Sequence, residues 1–249
     1  MNIVVFGGSS SIAIAISKKL AKSNLKVFHV SRSGNLPGEV EHNCSKISSL
    51  KMDLADENQS LKIWKDLISR IEIHSIVFAQ RYHGDTENFL KMYQCDVVTP
   101  FKLVEELCRF NKDVERRIIF FTSPGGRLVL QSQNFQYHAT KSAISIMNKY
   151  FASGVIENLI SNAICPSSFV YKSRAEDFYK KNVDYFKRVS SAIPSRRYTQ
   201  IDDIAIMAEF LLIRAPNTIN GLEITLDGGL SALDHSNIIN RFNPLDKKP

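Results

Sequence analysis

The sequence has few cysteines and no long hydrophobic run, and both shortages exclude classes of protein. The four cysteines, Cys44, Cys95, Cys108 and Cys165, form no CxxC pair and lack the spacing of a zinc site. We therefore expect reduced thiols in a cytoplasmic protein, without disulfides or a bound metal. No stretch approaches about 18 consecutive apolar residues, and the N-terminal residues lack the positive region of a signal peptide, so we expect no membrane association.

Internal repeats, low-complexity tracts and linkers rich in glycine, serine or proline are also missing. Their absence predicts one domain over residues 1–249. The formal net charge of +7 is compatible with an anionic small molecule, a nucleic acid or a membrane surface, and equally with a solvated basic surface.

Short apolar runs rich in β-branched residues alternate with segments whose apolar residues have helical spacing. The runs cover residues 3–6, 26–30, 73–78, 117–121, 159–164 and 222–226. The helical patterns cover residues 12–20, 61–68, 89–110, 139–156 and 201–213. Runs that are buried on both faces and alternate with helices predict an α/β protein with a doubly wound, predominantly parallel sheet of Rossmann type. Such sheets bind ligands at the carboxyl ends of their strands.

The first strand leads into a loop with little glycine, Gly7-Gly8-Ser9-Ser10-Ser11-Ile12-Ala13, which opens a helix. A dinucleotide fold binds pyrophosphate at this position, on backbone N–H groups and a helix N-terminus. Gly7 permits the tight turn, Ala13 permits close packing of the helix, and the three serines can donate to phosphate or cap the helix. A serine-capped helix start without a nucleotide is the alternative interpretation.

The second strand is followed by Arg32, where the fold holds the adenosine ribose. An acidic residue there would bind the ribose 2′-hydroxyl, whereas an arginine suits a 2′-phosphate. Arg32 therefore favours NADP(H) over NAD(H), with a solvent-facing arginine as the alternative.

A hydroxyl, a phenol and an ammonium follow the fifth strand. Ser123 ends that strand, and Tyr137 and Lys141 lie four positions apart in the next helix. Positions four apart share one helix face, so the ammonium lies beside the phenol and favours its use as a general acid–base group. Ser123 can hold a substrate oxygen beside that acid.

In their order along nearly the whole chain, these features resemble the short-chain dehydrogenase/reductase family in its compact single-domain form. Further segments that resemble family motifs are Met52-Asp53-Leu54, Cys95 to Phe101, Asn162 to Ser167, Phe210-Leu211-Leu212, Ile219-Asn220-Gly221 and Leu226 to Gly229. The resemblance implies a seven-stranded sheet and hydride transfer between a nicotinamide and a carbonyl or carbinol carbon. It assigns proton transfer to Tyr137, a hydrogen bond to the substrate to Ser123, and the nicotinamide ribose to Lys141.

The cofactor-binding residues expected from the loop and the resemblance are Gly7, Ser9, Ser10, Ser11, Ile12, Arg32, Asp53, Leu54, Ala79, Tyr137, Lys141 and Pro166. Asp96 stands where the family has an asparagine that holds a proton-relay water, so we include it among the catalytic residues. Its charge is expected to interact with Lys141 and to move the pH profile. Ser11 replaces a glycine, and a positive φ there would cost of the order of 1 kcal/mol. Ser167 also replaces a glycine.

Residues 171–197 fall where the family has its substrate lid, and they contain eight basic and three acidic residues, a net charge of +5, interleaved with aromatics. One interpretation is an anionic substrate bound by the lid, namely a sugar phosphate, a nucleotide sugar or an acyl-carrier thioester. The other is an exposed pair of amphipathic helices with solvated lysines. Without a stacking platform or groove, single-stranded nucleic acid is disfavoured as a partner.

Two function classes therefore remain open. The first is an NADP(H)-dependent carbonyl reductase or alcohol dehydrogenase, and the second is a dinucleotide-binding sensor or scaffold that has lost turnover. The chain lacks the length for the separate substrate domain of an epimerase or dehydratase, and enoyl reductases space tyrosine and lysine more widely. The resemblance also implies a homotetramer or homodimer formed by helices four and five and the last strand, with a polar tail over residues 237–249.

Overall fold

A parallel sheet with helices on both faces forms the core of the computed structural model, which describes residues 1–36, 46–82, 88–171 and 176–242. Within these residues the sheet has seven strands in the order β3-β2-β1-β4-β5-β6-β7, and every neighbouring pair is parallel. The strands are β1 (Asn2–Phe6), β2 (Lys26–Ser31), β3 (Ile47–Lys51), β4 (Ser75–Phe78), β5 (Arg116–Phe121), β6 (Leu159–Pro166) and β7 (Glu223–Leu226). The predicted doubly wound α/β fold is confirmed.

The helices of the described residues follow the alternation expected from the sequence. They are α1 (Ser11–Lys22), α2 (Glu57–Arg70), α3 (Phe89–Tyr93), α4 (Thr99–Phe110), α5 (Phe135–Ala152), α6 (Glu176–Lys181), α7 (Val183–Ala192), α8 (Ile201–Glu209) and α9 (His235–Phe242). None of them combines the length and the apolar character that a bilayer-crossing helix needs.

The two faces of the sheet carry separate hydrophobic cores, which explains why its strands read as unbroken apolar runs. Side chains alternate along β1, so Val4 and Phe6 pack on one face and Ile3 and Val5 on the other. Trp64 of α2 is fully buried in the first core, where its indole N–H donates to the Leu103 carbonyl oxygen at 2.9 Å. Both layers are therefore packed against the strand that leads into the glycine-poor loop.

The helix predicted over residues 89–110 is interrupted by a π-helical turn, Gln94–Val98, between α3 and α4. In that turn the Thr99 N–H bonds the carbonyl of Gln94, five residues back. The following Pro100 has no N–H to donate to Asp96, so the regular helical ladder cannot continue there. The apolar spacing alone did not reveal this π-helical turn, which contains Asp96.

Strand β3 has no counterpart among the apolar runs identified above. Its sequence, Ile47–Lys51, is largely polar because β3 lies at the edge of the sheet, paired only with β2 among the described strands. An edge strand has less apolar surface to bury, so hydrophobicity is a weak signal for it.

Candidate active site

A cavity of about 760 Å³ opens at the carboxyl ends of the central strands. Ser123 and all the residues expected to bind a cofactor line it: Gly7, Ser9, Ser10, Ser11, Ile12, Arg32, Asp53, Leu54, Ala79, Tyr137, Lys141 and Pro166. Asp96 does not line the cavity; it is buried in the π-helical turn beside Cys95, which does. The structure therefore brings the candidate residues to one edge of the sheet.

The loop after β1 is built so that its first position must be glycine. Gly7 has a φ of +96°, and a side chain there would place its Cβ 2.6 Å from the carbonyl carbon and oxygen of Ala79. The Ser10 hydroxyl caps α1 by accepting from the N–H of Ile12 at 3.2 Å. Ser11 opens α1 and is not among the residues with positive φ, so the backbone strain considered for this position does not arise.

A buried histidine fixes this loop from behind, and sequence reasoning missed it. His29 of β2 is fully buried; its Nε2 donates to the Gly8 carbonyl and its Nδ1 accepts from the Ser17 hydroxyl, both at 2.8 Å. A carbonyl only accepts, so the proton lies on Nε2. Burial lowers the pKa of His29, and the bond to Gly8 opposes that change. Because His29 lies within an apolar run, the sequence pattern predicts only that it is part of a buried strand, not that it holds the loop.

Asn134 and the turn after β5 position the candidate acid and its neighbours. The Asn134 side chain caps α5 by accepting from the Tyr137 N–H at 3.0 Å, and the Tyr137 ring lies against Gly125, where an added Cβ would be 2.9 Å from the ring. The Ser123 hydroxyl accepts from the Gly125 N–H at 3.1 Å. Buried Lys141 donates from Nζ to the Phe121 carbonyl at 2.8 Å. Tyr137, Ser123 and Lys141 thus reach the same end of β5.

Asp96 and Lys141 form an electrostatically coupled buried pair. Burial raises the pKa of Asp96, and the positive charge of Lys141 opposes that change. Burial lowers the pKa of Lys141, and the carboxylate of Asp96 opposes that. Oδ2 of Asp96 accepts from the Tyr82 N–H at 3.3 Å, whereas its buried Oδ1 has no hydrogen-bond partner among the described residues. The neighbouring Cys95 side chain also interacts with the Asp96 carboxyl group and lowers its pKa, in opposition to burial.

Arg81 is a cavity residue that the sequence did not identify. Its guanidinium carbon lies 4.7 Å from the centroid of the Tyr137 ring, and its Nη2 donates to Oε1 of Gln133 at 3.0 Å. Residues 79–81 match no family motif, and the contact joins positions more than 50 residues apart. Only the folded chain brings this charge to the candidate acid.

The basic residues of the lid segment that the structure describes do not line the cavity. Among its described residues, Lys180 pairs with Glu176 at 2.8 Å, Arg197 pairs with Asp203 at 2.5 Å, and none of its basic side chains lines the cavity. Lys172 and Arg174 lie outside the described residues. The lid aromatics instead pack on each other, as in the stacked rings of Phe186 and Tyr198, whose centroids are 4.5 Å apart.

Comparison with known proteins adds sequence relatives to this geometry. A family model described as enoyl-(acyl carrier protein) reductase matches residues 7–231. The 2-dehydro-3-deoxy-D-gluconate 5-dehydrogenase of Bacillus subtilis (strain 168) is 38% identical over 96 residues, which are 37% of this chain and 36% of that protein. A tropinone reductase homologue of Arabidopsis thaliana is 30% identical over 115 residues, 46% of this chain and 43% of the homologue. The matches span less than half the length of these two relatives.

Solved structures share the fold at low sequence identity. A short chain dehydrogenase family protein from Francisella tularensis superposes with a TM-score of 0.74 at 21% identity, over 93% of this chain and 99% of that one. ElxO with NADP bound gives a TM-score of 0.80 at 19% identity, over 93% and 99% of the two chains. With a family model that covers most of its residues and this seven-stranded sheet, the chain belongs to the short-chain dehydrogenase/reductase family.

Proposed function

We propose that the protein is an NADP(H)-dependent oxidoreductase that acts on a carbonyl or hydroxyl carbon. The observation that carries this proposal is that Tyr137, Ser123 and Lys141 line the same cavity as the loop of Gly7. A phenol, a hydroxyl and an ammonium in one cavity supply a proton donor, a hydrogen-bond donor to oxygen and a fixed positive charge.

The residues at the other end of the cavity fit a dinucleotide. The φ of Gly7 and its close approach to Ala79 leave the loop backbone open at the N-terminus of α1, where phosphates bind. Arg32 is exposed at the cavity edge, on the same side as Asp53 and Leu54, and supports the choice of NADP(H) through a ribose 2′-phosphate. Proteins of the same fold have been solved with NADP, although 4-hydroxyisoleucine dehydrogenase was solved with NADH.

A bound nicotinamide would supply the hydride-transfer chemistry, while the chain supplies position and proton transfer. In the reducing direction, the Tyr137 hydroxyl gives its proton to the substrate oxygen and Ser123 donates a hydrogen bond to that oxygen. Lys141, held by the Phe121 carbonyl, presents its ammonium to the ribose and to Tyr137. Asp96 opposes the effect of burial on the pKa of Lys141, which makes it a positioning residue in this scheme.

A keto group on an anionic substrate is the substrate class that we propose. The i, i+4 spacing of Tyr137 and Lys141 supports carbonyl rather than enoyl reduction, whatever the name of the family model. The Bacillus subtilis relative is named for a sugar acid, which carries such an anionic group. We also propose a cytoplasmic location, because Cys95, Cys108 and Cys165 are free thiols.

The first test is thermal stability with NADPH, NADP, NADH and NAD in parallel, for the wild type and Tyr137→Phe. A ligand that binds only the folded state raises its stability by RT ln(1 + [L]/Kd). We expect a larger shift with the phosphorylated pair in both proteins, and turnover of carbonyl substrates only in the wild type, because the variant keeps the ring and loses the proton donor. A shift without wild-type turnover would favour the sensor or scaffold, and no shift with any nucleotide would contradict both.

A further inference from the structure

One cation that contacts the candidate acid, Arg81, has no role in the chemistry proposed above. Arg32, Arg81 and Lys141 are the cations among the described residues that line the cavity. Arg32 lies at the adenosine end, and Lys141 is buried and bonded to the Phe121 carbonyl. Arg81 is exposed, and no described carboxylate forms an ion pair with it.

The Arg81 guanidinium is held in place by two contacts and still has N–H groups that can donate to a ligand. The Tyr137 ring supports one of its faces at 4.7 Å, a distance typical of a cation–π contact, and Gln133 accepts from Nη2 at 3.0 Å. A guanidinium carries five N–H donors in a planar fork that matches a carboxylate or phosphate. The hydrogen bond to Gln133 uses one of them and fixes the plane of the fork.

Carboxylates are few around Arg81 on the cavity side; the buried Asp96, which interacts electrostatically with Arg81, does not line the cavity. Asp53 is the one carboxylate among the described residues that line the cavity, and it lies with Leu54 at the adenine end, where its Oδ1 accepts from the Ala55 N–H. The lining of the cavity also includes uncharged polar side chains, of which Gln133 contacts Arg81: Gln131, Ser132, Gln133, Ser167 and Ser168.

The geometry points to Arg81 as the residue that binds an anionic group of the substrate, a carboxylate or phosphate that lies only a few bonds from the reacting carbonyl. This inference rests on the proposed function and narrows its substrate class. Arg81 lies over the Tyr137 ring, and the phenol oxygen is bonded directly to that ring. An anion bound by Arg81 is therefore close to the substrate carbonyl whose oxygen Tyr137 protonates. Small sugar acids and sugar phosphates satisfy this distance. An acyl-carrier thioester, whose phosphate is separated from its keto group by the long pantetheine arm, does not.

The test is calorimetric titration of the full chain, saturated with NADP, with tartrate and with erythritol, its uncharged four-carbon counterpart. We expect tartrate to bind the wild type more tightly than erythritol does. Loss of a charge-assisted hydrogen bond predicts tartrate binding about tenfold weaker or more in Arg81→Met, measured at an NADP concentration that saturates each protein. Arg81→Lys keeps the charge but loses the fork, so its tartrate affinity should fall between the two. Glycerol phosphate against glycerol shows whether phosphate binds in place of carboxylate.

Arg109→Met, which removes an exposed cation of α4 outside the cavity, is the matched control and should bind tartrate like the wild type. Equal tartrate affinity in the wild type and Arg81→Met would overturn the inference. So would a loss of tartrate affinity in Arg109→Met as large as that in Arg81→Met. A third contradicting result is a loss of tartrate affinity in the lid variant Arg188→Met but not in Arg81→Met. The inference would also be overturned if the wild type bound tartrate no more tightly than erythritol and glycerol phosphate no more tightly than glycerol. If NADP does not bind, the oxidoreductase proposal fails. The tartrate titration of nucleotide-free wild type and Arg81→Met then still decides whether Arg81 binds an anion.

Discussion

At the scale of single residues, the buried carboxylate of Asp96 sets the electrostatics of Lys141. The carboxylate opposes the effect of burial on the lysine, so it keeps the ammonium charged to higher pH. In Asp96→Asn, burial acts with less opposition and the pKa of Lys141 falls further. We expect the alkaline limb of the pH profile of kcat/KM to move to lower pH.

The same shift should appear without any substrate, in the pH dependence of the thermal stabilisation by NADPH. Asp113→Asn is the control, since it removes the same charge from an exposed position. An alkaline limb in Asp96→Asn that coincides with that of the wild type would show that the carboxylate does not act on Lys141.

Some site residues could be predicted from the sequence and others could not, for a physical reason. Tyr137 and Lys141 belong to one helix, so their spacing alone places both side chains on one face. Arg81 and His29 act through partners in other elements, Gln133 for the first and Ser17 for the second. Local periodicity carries no information on such long-range contacts.

At the scale of elements, His29 joins three of them: β2, the loop after β1, and α1. In His29→Leu the Gly8 carbonyl and the Ser17 hydroxyl lose their partner inside the core, a loss of about 1–3 kcal/mol in the free energy of unfolding. Because Gly8 is part of the loop, we also expect weaker stabilisation by NADPH. Urea unfolding with and without NADPH measures both effects.

The pH dependence gives a second readout of His29. Its pKa is lowered in the folded state, so the unfolded chain takes up a proton first as the solution is acidified. The stability that neutral His29 provides is therefore present above the ordinary histidine range and is lost as the pH falls below it. His29→Leu should lack this part of the acid-side loss, whereas the exposed His235→Leu should keep it. Parallel pH curves for the wild type and His29→Leu would refute this role.

Element boundaries were predictable where burial and local propensity agree. The apolar runs of β1, β2 and β5 matched the observed strands to within one residue at each end. The polar edge strand β3 and the π-helical turn at Gln94–Val98 did not follow from the residues alone. An edge strand is formed by pairing with its neighbour, and this π turn occurs where Pro100 lacks the N–H that a regular helix needs. The spacing of apolar residues contains neither piece of information.

At the scale of the whole molecule, α4 and α5 carry an exposed apolar face that supports the expectation of a homodimer or homotetramer. Ile146 is 62% exposed, and Tyr150, one helical turn later, contacts Phe101 of α4 with ring centroids 5.8 Å apart. We expect Ile146→Glu to lower the oligomer mass measured by analytical ultracentrifugation, since a charge buried in an interface is costly. Ile239→Glu on α9, at 63% exposed, is the matched control. A monomeric wild type, or equal masses for all three proteins, would contradict an interface at this face.

The place of β1 in the sheet has a consequence for how the chain folds. β1 lies between β2 and β4, with Ile3 opposite both Val27 and Ser75. Contacts between residues so far apart in sequence form slowly, because closing the large loop between them costs chain entropy before the contacts stabilise it. The turn at Gly7 packs on Ala79, at the end of β4, so the loop after β1 reaches its final shape only when β4 has docked. We therefore expect the loop shape that the proposed nucleotide site requires to form late in folding, after the central strands have paired.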